Sequence, residues 1–156
     1  MKFHKNRLEH LKKLFIPKTI LDIGAHEGTW GVVAKEVFPK SNIHMIEGNP
    51  NKTDILKSID IPFTICLLGK ENNESVSYYM TKHDVDTGNS IYRENSVFFE
   101  DKNCKKVQLP MKTLDTLMAE EDITNVNFIK MDEMVERLQL ETANKEKRVV
   151  DCRPKT

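Results

Sequence analysis

The segment that most restricts this chain is Thr19-Ile20-Leu21-Asp22-Ile23-Gly24-Ala25-His26-Glu27-Gly28-Thr29. An apolar run of strand length closes on a glycine, and an amphipathic stretch starts just after the next one. Trp30, Val33, Ala34, Val37 and Phe38 fall on one side of a helix over 29–38, with Pro39 as its stop. A buried strand feeding a helix through a tight turn opens a β-α-β unit. It points to a parallel sheet with right-handed crossovers.

The pattern then repeats. Asn42–Glu47 reads as a second strand, and Gly48-Asn49-Pro50 opens a second helix. Asn49 suits the N-cap and Pro50 the first helical position. Ile55, Leu56 and Ile59 form that helix's apolar side, Pro62 bounds it, and Phe63–Leu68 is a third strand closed by Gly69. Beyond this point the period changes. Residues 75–80 and 107–111 alternate with period two, separated by a polar stretch over 81–103 with turn residues Gly88, Asn89 and Ser90. This predicts an antiparallel excursion, with Pro110 confining its strand to an edge. A short helix over 113–121 and a fourth strand, Val126–Asp132, return the chain to the main sheet. Ahead of the first strand, Leu8, Leu11, Leu14 and Phe15 predict an amphipathic helix over 4–15, ended by Pro17. The organisation is an N-terminal helix (1–18), an α/β unit (19–132) and a charged C-terminal tail (133–156).

Length and charge narrow the partners. A chain of 156 residues with formal net charge +0 is one domain, and its charge suggests no nucleic-acid partner. Lys2, Lys5, Arg7, Lys12, Lys13 and Lys18 outweigh Glu9 at the start, which a solvated helix face explains. Cys66, Cys104 and Cys152 form no Cys-x-x-Cys pair, which disfavours a disulfide framework or zinc knuckle and suits reduced thiols in a cytosol. No apolar run approaches the roughly 18 residues of a membrane span, and no signal-peptide core is visible. A cytoplasmic protein with no bound metal is the expectation.

The chemistry gathers at the first turn. Ligands of open α/β sheets bind at the carboxyl ends of the strands, and glycine permits positive φ and close backbone approach there. A dinucleotide loop would read G-x-G-x-x-G. This loop has glycine at 24 and 28, with His26 and Thr29 where others would stand, which disfavours a pyrophosphate cradle and a nicotinamide dehydrogenase. Glu47 ends the second strand about twenty residues beyond the loop, the spacing at which a carboxylate accepts both hydroxyls of an adenosine ribose. His26 reads as a loop residue presenting backbone.

Asp22-Ile23-Gly24-Ala25-x-x-Gly28 followed by Ile46-Glu47-Gly48-Asn49-Pro50 resembles the FkbM-type methyltransferase family. Leu67-Leu68-Gly69, Gly88-Asn89-Ser90-Ile91-Tyr92, Thr113-Leu114-Asp115 and Phe128-Ile129-Lys130-Met131-Asp132 agree with it in order. The resemblance implies a Rossmann-like class I methyltransferase sheet that binds S-adenosylmethionine and methylates a hydroxyl of a sugar or natural-product acceptor. It implies that Asp22, Gly24, Ala25 and Gly28 form the methionine-side loop, that Glu47 holds the ribose, and that Leu67 and Leu68 lie near the adenine. Asp132, beside the transfer centre, is then the first candidate for base or acceptor orienter, and His83 the second because an imidazole suits neutral-pH proton transfer. Tyr92 and Arg93 line the acceptor side by fold analogy alone.

The chain departs from the family after the fourth strand. Glu133-Met134-Val135-Glu136-Arg137 stands where a glycine and a helix-opening glutamate are usual. The sheet is therefore expected to comprise strands in the order 3-2-1-4 and stop. Strand four would then be an edge with unpaired backbone groups. The alternatives this raises are a truncated, non-catalytic remnant or a cofactor-binding module completed by a partner, including a second copy covering that edge.

Overall fold

The computed structural model describes residues 2–82, 89–93, 100 and 102–131. In chain order the elements are α1 (Lys2–Lys12), β1 (Thr19–Ile23), α2 (Thr29–Val37), β2 (Asn42–Glu47), a 3-10 turn (Pro50–Lys52) leading into α3 (Thr53–Lys57), β3 (Phe63–Ile65), β4 (Leu67–Leu68), β5 (Asn73–Thr81), β6 (Cys104–Lys112), α4 (Leu114–Glu120) and β7 (Val126–Met131). His83, Gly88, Asp132 and the tail 133–156 lie outside the described residues.

The main sheet has the order β3-β2-β1-β7, all parallel, which is the expected 3-2-1-4 arrangement of a Rossmann-like α/β fold. Because side chains alternate along each strand, the sheet has two distinct faces. One carries Ile20, Ile43 and Met45 against Leu8 of α1, Val33, Ala34 and Val37 of α2, and Leu56 of α3. The other carries Leu21, Ile23 and Ile46 against Leu114, Leu117 and Met118 of α4. Every residue of β1 is buried, as expected of a central strand covered on both sides.

The second sheet has the order β4-β6-β5, with β5 antiparallel to β6 and β4 parallel to it. Three expectations need correcting. The single strand expected over 63–68 is divided at Cys66: Phe63–Ile65 pairs with β2, and Leu67–Leu68 pairs with Met111 and Lys112 of β6. The strand holding Pro110 is central, not an edge. The β5–β6 register shifts between Asn73 and Val76, so Pro110 stands opposite a bulge, a position at which a sheet tolerates proline. Helix α1 closes at Lys12, so Leu14 lies beyond it and is 75% exposed.

Asn49 is the cap that the sequence predicts, and Thr113 is a second one that the structure adds. Asn49 accepts from the Asn51 N–H at 3.0 Å with Pro50 next to it, and Thr113 accepts from the Thr116 N–H at 3.1 Å at the start of α4. Lys5 pairs with Glu36 at 3.0 Å, so part of the basic arm is tied to α2 across an exposed face.

Candidate functional site

At the carboxyl end of β1 the chain turns through three residues with positive φ: Gly24 (71°), His26 (52°) and Gly28 (71°). This alternation aims successive amides at β2. The N–H groups of Gly24 and Ala25 both donate to the Ile46 carbonyl, at 2.9 and 3.1 Å, and that of Gly28 folds back on the Ala25 carbonyl at 2.8 Å. The His26 N–H donates to Glu47 Oε2 at 2.6 Å. These donors are therefore engaged within the protein, which gives a structural reason why this loop is no cradle for a pyrophosphate. His26 takes part through its backbone.

Glu47 is the hub of the turn. Its side chain is buried, 4% exposed, and its second oxygen accepts the Asn49 N–H at 2.8 Å. Its own carbonyl accepts the Cys66 N–H at 2.9 Å, so the step from β3 to β4 is hung from the same residue. An ionised carboxylate offers about four acceptor directions, so two backbone donors leave it able to accept two more hydrogen bonds. Across the turn Lys52 Nζ meets Glu27 Oε1 at 3.0 Å and latches the loop to the 3-10 turn.

The structure thus brings Gly24, Ala25, Gly28 and Glu47 together at one end of the sheet. Ala25 turns its methyl into the core and contributes backbone. The Gly28 Cα is packed so closely that an added Cβ would collide with Ile59 Cδ1 and stand 3.1 Å from Leu56 Cδ2. Leu67 packs into the core of the second sheet with Tyr78 and Met80, and Leu68 packs on the Leu21, Ile23 and Ile46 face. Asp22 lies beneath the loop, fully buried, with Oδ1 2.8 Å from Lys130 Nζ. Lys130 had no role assigned on sequence grounds, although it shares a strand face with Phe128, where a lysine needs a buried partner. His83 and Asp132 lie outside the described residues. Tyr92 is half exposed, its N–H on Ser90 Oγ at 3.1 Å.

A cleft of about 360 Å³ opens at the other end of the sheet, lined by Thr19, Asn42, His44, Asp60 and Glu121. It faces the amino ends of the strands, where open α/β sheets do not place their ligands. Burial holds the His44 imidazole below its ordinary value, with Glu121 pulling the other way, and its Nε2 is 2.8 Å from Thr64 Oγ1. Among the described residues no group of three or more His, Cys, Asp or Glu is arranged to hold a metal, and no helix is long and apolar enough to cross a membrane.

A parallel sheet ordered 3-2-1-4, with a buried carboxylate closing β2 against the β1 turn, defines a Rossmann-like α/β domain. Residues 22–133 match the model of the methyltransferase FkbM domain, and the chain belongs to that family. Membership supports S-adenosylmethionine as the cofactor. Among solved structures, that of the plantazolicin methyltransferase BpumL in complex with SAH is similar over 40% of this chain, with 17% identity and a TM-score of 0.34. The chain spans a quarter (25%) of that protein's length. No curated protein matches.

Proposed function

We propose that this chain is an S-adenosylmethionine-dependent O-methyltransferase acting on a hydroxyl of a sugar or natural-product acceptor in the cytoplasm. Residues 19–132 form the cofactor-binding unit, 1–18 an N-terminal helix and 133–156 a divergent tail. The observation that carries this reading is Glu47: a buried carboxylate, spread between the backbones of His26 and Asn49, with acceptor capacity left for the two hydroxyls of a ribose. Gly24, Ala25 and Gly28 shape the methionine side, Asp22 supports them from below, and Leu67 and Leu68 flank the base.

When bound, the cofactor supplies an electrophilic methyl group on a sulfonium. The protein holds the acceptor in line and excludes water. An acceptor hydroxyl must also lose its proton, and Asp132 is assigned that role, with His83 as the second candidate.

A second reading, a cofactor-binding module that needs a partner or has lost catalysis, draws on β7. That strand is the edge of the described sheet, and its Ile129 and Met131 are 43% and 50% exposed on the α4 face. A second copy of the chain seated there would cover both.

Calorimetric titration with S-adenosylhomocysteine, followed by methyl-transfer assays on a panel of glycosides, tests these readings. Micromolar binding with turnover supports the methyltransferase. Binding without turnover favours the module, and tighter binding of NAD than of S-adenosylhomocysteine refutes both.

A further inference from the structure

Lys130 stands directly opposite Asp22 in the β1–β7 ladder. It shares the face of Phe128, whose ring packs on Trp30 at 6.0 Å between centroids. A lysine only 13% exposed along its side chain is costly unless its ammonium is well partnered. Here Nζ lies 2.8 Å from Asp22 Oδ1, 3.0 Å from the Gly24 carbonyl oxygen, 3.5 Å from that of Ile23 and 5.9 Å from the Trp30 ring centre. Asp22, Ile23 and Gly24 lead into the turn, and Trp30 leaves it.

Neutralising Asp22 would require only the first of these contacts. The other two act on peptide planes. The plane joining Ile23 to Gly24 has its oxygen toward Lys130 and its N–H on the Ile46 carbonyl, and so does the plane joining Gly24 to Ala25. Each is held from both neighbouring strands, by the β7 ammonium on one side and a β2 carbonyl on the other. Two fixed planes around one Cα determine both of its torsions, here the positive φ of Gly24. That angle sets the direction in which the turn delivers the His26 N–H to Glu47.

We propose that Lys130 is a positioning residue for the cofactor loop: it clamps the Gly24 peptide planes so that the turn meets Glu47 in the shape that receives the nucleoside. The inference rests on the S-adenosylmethionine reading of this site. Releasing the clamp frees the planes to rotate, and part of the cofactor's binding energy is then spent on re-forming the turn.

Three variants separate positioning from charge balance, each read by S-adenosylhomocysteine affinity and by Tm. Lys130→Met leaves Asp22 buried without its cation and should lower both. The double variant Asp22→Asn with Lys130→Met removes both charges. It should recover Tm while its affinity stays about tenfold or more below the parent, the size of a lost charge-assisted hydrogen bond. Lys130→Gln removes the cation as Lys130→Met does but keeps a donor for the Gly24 carbonyl. Its Tm should fall with that of Lys130→Met, while its affinity, compared where both are folded, stays within about threefold of the parent. Parental affinity in the methionine double variant overturns the proposal. So does an affinity in Lys130→Gln as low as in Lys130→Met, and this pair carries the test if the double variant does not fold. No binding by the parent chain sinks the cofactor reading and the inference with it, whereas a parent that binds alongside unaffected variants refutes Lys130 only.

Discussion

Replacing Glu47 with glutamine should damage the fold before any ligand is added. The carboxylate is 4% exposed and accepts two backbone donors, from His26 at 2.6 Å and from Asn49 at 2.8 Å. Glutamine keeps the shape but has one oxygen, so its amide nitrogen must face one of the two N–H groups. The donor left without an acceptor costs about 1–3 kcal/mol, and the surviving bond loses its charge assistance, about 1 kcal/mol more. A total of about 2–4 kcal/mol corresponds to a Tm lowered by roughly 6–12 °C for a chain of this size. Thermal melts followed by circular dichroism on the parent and Glu47→Gln measure it. A shift below about 2 °C would show that the turn does not hang on this carboxylate, and the reasoning would be wrong. Affinity for S-adenosylhomocysteine should be compared only at temperatures where both proteins are folded.

Other outcomes follow from the same geometry. Gly28→Ala places a Cβ against Ile59 and Leu56 at a φ of 71°, so urea denaturation should show a loss of about 2–3 kcal/mol together with weaker cofactor binding. Thr113→Ala removes the acceptor of the Thr116 N–H at the start of α4 and should cost about 1 kcal/mol in the same assay without changing affinity. Burial of His44 disfavours its cation, so just below its ordinary value of about 6.5 the unfolded chain binds more protons than the folded one. Its contribution to stability is complete above about pH 6.5 and lost as the pH falls through the folded value; His44→Gln should flatten that part of the urea midpoint–pH curve.

Much of this architecture is legible in the sequence because it is set locally. The glycines at 24 and 28 take the positive φ that a tight turn needs, Asn49 caps the segment it precedes, and the apolar runs of the first, second and fourth strands have the length expected of strands. The division of the third strand at Cys66 is not local. Phe63–Leu68 is one apolar run, and which half joins which sheet depends on β6, more than forty residues away in the chain. Pro110 misleads for a similar reason: the sequence shows a residue without an N–H, whereas the opposing bulge in β5 that accommodates it appears only once the strands are paired. The Glu47 carboxylate was legible as an acceptor, but not its two backbone donors. Lys130 falls within the Phe128–Asp132 stretch that agrees with the family and shares a strand face with Phe128, but its partners Asp22 and Gly24 lie across a ladder that no sequence spacing reveals.

The central claim is that an adenosine ribose is held by its hydroxyls on Glu47. Titrating the parent chain with S-adenosylhomocysteine and with its 2′-deoxyribose analogue tests it most directly. Removing one hydroxyl bonded to a charged acceptor should weaken binding by about tenfold or more. Equal affinity for the two compounds would mean that the sugar edge is not read at Glu47, and the account of the site would fail.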